Sequence, residues 1–286
     1  MSQLVFVVPI RHPENVNDPE EQWHSLADLF SSFAAQTNEN FKVNIVCNSE
    51  QILPKLPSFV DRIDVSLSPN ISIYSAQSRQ AAFECIRTDK GKRVHAGLAD
   101  VVPDRDIVMV CDDDDLIHRR LVEVVLSGRT NVVRFIENGY KWFSGTTKLL
   151  EVRKFHRTCG TSLAIPARFY KIFDPSSDLD EAISELGSHI LPFNNMINAG
   201  WPAEPIDFCA AVYRVNGSNS TQVEVARAAR YEHSFLSRLV RKTLAQATRH
   251  GIGTRGSNKK PSQVGTLSAG EWFQRDFLGG RAIGRG

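Results

Sequence analysis

The chain has 286 residues, 42% of them hydrophobic, which is enough for one large α/β domain or for one domain with a tail. A formal net charge of +2 is too balanced to point to nucleic acid as a partner. The five cysteines, Cys47, Cys85, Cys111, Cys159 and Cys209, are widely spaced and form no C-x-x-C pair, which argues against a disulfide framework or a zinc site and predicts reduced thiols in a cytoplasmic protein.

Residues 4–10 form a short continuous apolar run, as in strands covered on both faces of a parallel sheet. The run is only strand length, and no other stretch is long and apolar enough to span a bilayer. A membrane-borne substrate would therefore be reached from the surface. Residues 22–35 carry Trp23, Leu26, Leu29, Phe30 and Phe33 at helical spacing. Residues 41–47 read as a second strand and 62–67 as a third, with a helix over 75–86 and another opening within 89–99. Residues 106–111 are a further strand that runs directly into four aspartates, and 116–126 return to helical spacing. This alternation predicts right-handed crossovers and a mostly parallel sheet.

The second half reads differently. Residues 131–136, 148–152 and 161–165 are short strands between polar turns, 190–199 is a helix ending at Gly200, and 210–215 is a late strand. Residues 226–249 have the pattern of a long basic amphipathic helix. From residue 251 the composition turns rich in Gly, Ser, Lys and Arg, which predicts a mobile tail on which Trp272 and Phe273 could dock.

The strongest chemical signal is the run Asp112-Asp113-Asp114-Asp115 at the end of an apolar strand. Adjacent carboxylates repel one another, and removing them from water without a cation is costly. The carboxyl ends of strands are where open α/β sheets bind ligands. A divalent cation relieves the repulsion and can bridge the phosphates of a nucleotide, and all-oxygen ligation favours Mg²⁺ or Mn²⁺ over zinc. One or two aspartates would suit a helix cap, but four exceed what capping needs. A calcium loop lacks its glycine and distal glutamate here.

A strand followed by Asp-x-Asp-Asp resembles the donor motif of GT-A glycosyltransferases, and of glycosyltransferase family 2 in particular. Other features stand in similar order: Val8-Pro9 closes the first strand, Asp89-Lys90-Gly91-Lys92-Arg93 lies upstream of the acidic strand, and Gly187-Ser188-His189 precedes a helix ending Ala199-Gly200-Trp201. The resemblance implies an α/β GT-A fold, with a mostly parallel central sheet flanked by helices and a C-terminal helix and tail. It covers residues 1–220 as a catalytic domain, with the donor half ending near 115, then a basic helix over 221–250 and a tail over 251–286. It implies a metal-dependent, inverting, hexosyltransferase-like enzyme of polysaccharide or glycoconjugate synthesis. Such an enzyme uses Mn²⁺ or Mg²⁺, a nucleotide-diphosphate sugar donor, and a saccharide or glycolipid acceptor.

Carried onto this chain, the resemblance implies that Pro9 borders the donor, that Asp112 and Asp113 face the nucleoside and ribose, and that Asp114 is the main metal ligand. Arg11, after the carboxyl end of the first strand, is a donor-loop contact or part of a plain polar loop. Asp115 is then an outer supporting group or the cap of the next helix. Lys92 and Arg93, on a loop at a helix N-terminus, could neutralise a diphosphate, or the segment is an ordinary solvated turn. His189 stands where the family usually has an aspartate base. A histidine can serve as that base, can bind metal, or can simply begin a helix. Glu185 and Asp180 are the alternative bases. Arg214 and Asn219 fall in a polar segment that looks like the flexible loop closing over donors in related enzymes. Trp142-Phe143 and Thr158-Cys159-Gly160-Thr161 lie between the acidic run and His189, where the family usually forms its acceptor wall, although Trp and Phe also serve plain packing. The basic stretch from Arg227 to Arg249 either lies on an anionic membrane at its inner face or is solvated. Two alternatives compete. A nucleotidyltransferase would carry a Gly-rich loop where Pro9-Ile10-Arg11-His12-Pro13 stands, and a non-catalytic carbohydrate-binding protein could occupy a degenerate transferase fold.

Overall fold

The first apolar run forms β1 (Leu4–Pro9), and its side chains alternate between two buried faces. Leu4, Phe6 and Val8 pack with Leu26, Leu29 and Phe33, whereas Val5 and Val7 pack with Val94 and Leu98 on the other side. The computed structural model describes residues 2–70, 76, 78–143, 146–215, 266–268 and 271–279. Among these, β1 is flanked in parallel by β2 (Phe41–Asn48) and β4 (Ile107–Val110), and β3 (Val60–Val65) extends the sheet beyond β2, again in parallel. On the other edge β9 (Leu163–Pro166) runs antiparallel between β4 and β6 (Val133–Ile136), and β10 (Ala203–Ile206) pairs in parallel with β6. The result is a mostly parallel seven-stranded sheet covered by helices on both faces, as expected.

Helix α1 (Pro19–Ala34) starts earlier than the apolar spacing suggests. Asp18 caps it by accepting from Glu21 N at 3.0 Å, and Pro19 suits the first helical position. Trp23 turns outward instead of joining the apolar face. The two helices expected between residues 75 and 99 are one, α2 (Arg79–Gly97). Its middle contains Asp89 to Arg93, so the cationic segment is not a loop. The glycine there serves packing: a Cβ on Gly91 would lie 2.0 Å from the Ile183 carbonyl oxygen of α4 (Leu179–Leu186), a helix the sequence pattern did not suggest. Reciprocally, a Cβ on Gly187 would lie 1.8 Å from the Arg87 carbonyl oxygen. The two backbones touch because neither has a side chain at the contact.

A second sheet of five strands forms among the described residues from β5 (Leu116–Ile117), β7 (Asn138–Phe143), β8 (Lys148–Arg153), β11 (Ala211–Val215) and β12 (Thr266–Ser268). The helix expected over 116–126 is therefore split: β5 comes first, and helix α3 (Leu121–Ser127) begins only after Arg120. Helix α5 (Ile190–Asn198) agrees with expectation and ends at Gly200, whose φ of 78° suits glycine. The mobile-tail expectation is corrected over residues 266–268 and 271–279, while Phe273 docks as expected. There β12 joins the second sheet, and α6 (Glu271–Phe277) buries Phe273 and Phe277 completely, beside Leu116, Trp142, Leu149 and Val212. The basic helix expected over 226–249 lies outside the described residues. All five cysteines are unpaired, as expected. No helix among the described residues is long and apolar enough to cross a membrane.

Candidate donor site

The acidic run is the passage from one sheet to the other. It leaves the carboxyl end of β4, and Asp115 N donates to Asp112 O at 3.3 Å to close a turn with Asp113 and Asp114 at its tip. The chain then enters β5. Four chemically identical neighbours thus acquire four environments.

Asp112 sits against Thr161, whose Oγ1 accepts from the Asp112 backbone N at 2.9 Å, and its carboxylate pairs with the ammonium of Lys90. Burial alone would raise its pKa, but the Lys90 pair, helped by His189 and Arg11, holds it below the ordinary carboxylate range. Asp113 is 9% exposed and accepts from Gln22 Nε2 at 2.9 Å. Asp114 is half-buried and has no hydrogen bond or ion pair among the described residues. Burial first, then repulsion from Asp113 and Asp112, raises its carboxyl to about 7, against the smaller pull of Arg11 and Arg214. Asp115 is fully buried and accepts from Thr161 Oγ1 at 2.5 Å, Cys159 Sγ at 3.0 Å and Arg214 N at 3.3 Å. Burial and the charges of Asp114 and Asp112 push its carboxyl well above the usual range. Asp115 is an internal anchor and not the cap of a helix, because the next helix begins after Arg120.

The surrounding cations are not all the expected ones. Lys90 reaches the acidic run; Lys92 is exposed on α2, and Arg93 is 1% exposed and engaged with Asp89 Oδ2 at 3.0 Å and Asn48 Oδ1 at 2.9 Å. A continuous helix would have singled out Lys90, since it precedes the buried Val94 by one turn on the same face. Burial disfavours the Lys90 charge, but Asp112 outweighs it and raises the pKa. Pro9 ends β1 opposite Val46 of β2, and Arg11 follows it, close enough for its charge to act on Asp112 and Asp114. Arg214 lies in β11 and not in a flexible loop. Its guanidinium donates to Asp28 Oδ2 at 2.7 Å and Ser25 Oγ at 3.1 Å and sits 4.6 Å from the Trp142 ring centre. Trp142 is 6% exposed and packs on Phe273, which makes it a support for Arg214 rather than a wall for an acceptor. Asn219 lies outside the described residues.

His189 precedes α5 and lines a small pocket with Lys90, Gly160, Ser188 and Tyr170 over Val110. Its Nε2 is buried with no hydrogen-bond partner among the described residues. Burial and the neighbouring Lys90 charge lower its pKa, so the ring is neutral at pH 7. Of the alternative bases, Glu185 is taken by Asn195 Nδ2 at 2.6 Å and by Lys171 at 3.4 Å, and Asp180 is exposed. Cys159 and Thr161, which the sequence placed with an acceptor wall, instead hold Asp115 and Asp112. Gln22 was not singled out by sequence, since a single polar residue in a helix carries no local signature. Among the described residues no group of three or more His, Cys, Asp or Glu side chains is arranged to hold a metal ion.

No protein-family model and no curated protein matches the chain. Solved structures with related architecture include a manganese complex of Rv0371C from Mycobacterium tuberculosis H37Rv, at 8% identity and a TM-score of 0.40, covering 79% of this chain and 98% of that one. The galactosyltransferase LgtC, solved with donor and acceptor sugar analogues, aligns at 12% identity and a TM-score of 0.38, covering 80% of this chain and 95% of that one. The Francisella tularensis 2-C-methyl-D-erythritol 4-phosphate cytidylyltransferase IspD aligns at 11% identity and a TM-score of 0.34, covering 80% of this chain and 99% of that one. Likenesses at this level establish no shared function.

Proposed function

We propose that this protein is a glycosyltransferase that moves a sugar from a nucleotide-diphosphate donor to a hydroxyl of a saccharide or glycolipid acceptor, with Mn²⁺ or Mg²⁺ at Asp114. The observation that carries this reading is the division of labour in the acidic turn. Asp112, Asp113 and Asp115 are each engaged by the protein, while Asp114, at the tip, has no partner among the described residues and sits beside two carboxylates that repel it.

The residues present fit a small divalent cation. Such ions are commonly held by one or two carboxylates, with phosphate oxygens and water completing the shell, so a cage of three protein ligands is not required. When bound, the cation would neutralise charge on the departing diphosphate. The chain's own residues do the rest. Lys90 and Arg11 place positive charge around the turn where a diphosphate would lie. Arg214 is held rigidly by Asp28 and Ser25 on the Asp114 side. In the transfer, the acceptor oxygen forms a bond to the anomeric carbon and the bond from that carbon to the phosphate oxygen breaks. The acceptor proton goes to the neutral His189, whose Nε2 has no partner among the described residues, and the nucleoside diphosphate leaves. Transfer from the face opposite the leaving group inverts the anomeric centre.

The test is donor hydrolysis with Mn²⁺ and no acceptor. Slow release of nucleoside diphosphate is expected from the natural chain and none from a folded Asp114→Ala variant. Normal release by Asp114→Ala would rule out the assignment, and no release with intact sugar binding would favour a carbohydrate-binding protein.

A further inference from the structure

Asp113 is tied to a relay of two glutamines. Its Oδ2 accepts from Gln22 Nε2 at 2.9 Å, and Gln22 Oε1 accepts from Gln51 Nε2 at 3.4 Å. With the Asp113 oxygen taking the Gln22 N–H, the Gln22 oxygen is left to take the Gln51 N–H, so Asp113 sets the direction of both amides in turn. The relay ends on Gln51 Oε1. Gln51 is 7% exposed, and this oxygen is buried with no hydrogen-bond partner among the described residues. A buried acceptor left unmet is costly, and the group that satisfies it must bring an N–H or O–H.

The location points to a ligand. Gln51 stands just past the carboxyl end of β2, beside the segment that leaves β1, at the strand ends where open parallel sheets take nucleotides. The loop is pinned: Arg62 donates to the backbone oxygens of Gln51, Asn48 and Ser49 at 3.1, 3.3 and 3.1 Å.

Resting on the donor reading above, we infer that Gln51 is a specificity-determining residue whose Oε1 accepts from an N–H group of the donor's nucleobase, with Asp113 and Gln22 setting its orientation. The acidic turn then serves both ends of the nucleotide. Asp113 orients the contact to the base, and Asp114, next in the chain, faces the diphosphate.

Calorimetric titration of the full chain with Mn²⁺ against UDP, GDP, CDP and ADP identifies the preferred nucleoside diphosphate, and inorganic pyrophosphate serves as the probe without a base. Gln51→Leu is expected to weaken the preferred nucleotide about tenfold and to leave pyrophosphate within about twofold. Gln22→Leu, which removes the orienting amide, is expected to give the same selective loss. If Gln51→Leu does not fold, as judged by circular dichroism, Gln51→Met carries the same test. Unchanged nucleotide affinity in a folded variant, or an equal loss for both ligands, overturns the inference and leaves the donor reading standing. If the natural chain binds neither ligand, the donor reading falls and this inference with it.

Discussion

Asp114 is the residue at which the needs of folding and of the proposed metal site diverge. Its carboxyl is raised from about 4 in an unfolded chain to about 7 in the folded one, mainly by burial and then by Asp113 and Asp112. The folded state therefore binds its proton more tightly than the unfolded state. The stability this contributes is complete below about pH 4 and is lost as pH rises to about 7. Asp114→Asn removes the ionisation and with it the loss. Because Asp114 is only half-buried, part of the effect is screened, and the expected gain is about 1–2 kcal/mol, or roughly 3–6 °C. Thermal melts in chelator at pH 8 and pH 4 check this: the variant should melt higher at pH 8 and equally at pH 4. The same substitution should abolish donor hydrolysis. A residue that costs stability and carries activity is expected at a functional site. That the four carboxylates follow an apolar central strand was legible in the sequence. That Asp114 is the one without a partner among the described residues was not, because it depends on Lys90, Gln22, Thr161 and Cys159, all distant in sequence.

At the scale of elements, the contact between α2 and α4 decides where the site's side chains point. Gly91 and Gly187 let the two backbones meet, and α2 carries Lys90 to Asp112 while the chain after α4 carries His189 to the same pocket. Gly91→Ala improves intrinsic helix propensity by about 1 kcal/mol, yet its Cβ would lie 2.0 Å from the Ile183 carbonyl oxygen. The clash is with backbone and cannot be relieved by a rotamer change. We expect a net loss of about 1–3 kcal/mol in urea unfolding, with m unchanged. A neutral or stabilising effect would mean that the helices are not held this closely. Local pattern misreads this segment because Asp89-Lys90-Gly91-Lys92-Arg93 has the composition of a phosphate-binding loop. The glycine answers to a partner helix about 90 residues away, and the Asp89–Arg93 pair is an ordinary helical i,i+4 contact.

At the scale of the whole molecule, the C-terminal segment returns to complete the body beneath the acidic turn. Phe273 and Phe277 fill the space between the second sheet and α6, and Phe273 packs on the Trp142 ring that supports Arg214. Phe273→Ala is expected to cost about 3–5 kcal/mol and lower the melting temperature by about 10 °C. It should also weaken nucleotide binding, through Trp142 and Arg214, in protein that remains folded. Scanning calorimetry with and without a nucleoside diphosphate and Mn²⁺ separates the two effects, because only the second reduces the shift caused by ligand. The amino-acid sequence alone determined the strands β1, β2 and β4, the helices α1 and α5, and the place of the acidic run at the end of a central strand. These follow from periodicity, which is local. Only the tertiary structure decided that residues 116–117 pair as a strand, that α2 is continuous, and that Lys90 rather than Lys92 meets the turn. It also decided that residues 266–268 and 271–279 are part of the body, and that four successive aspartates are unlike. Each of those outcomes depends on burial and on partners brought from elsewhere in the chain, and identical neighbours in a sequence become different only when the fold surrounds them differently.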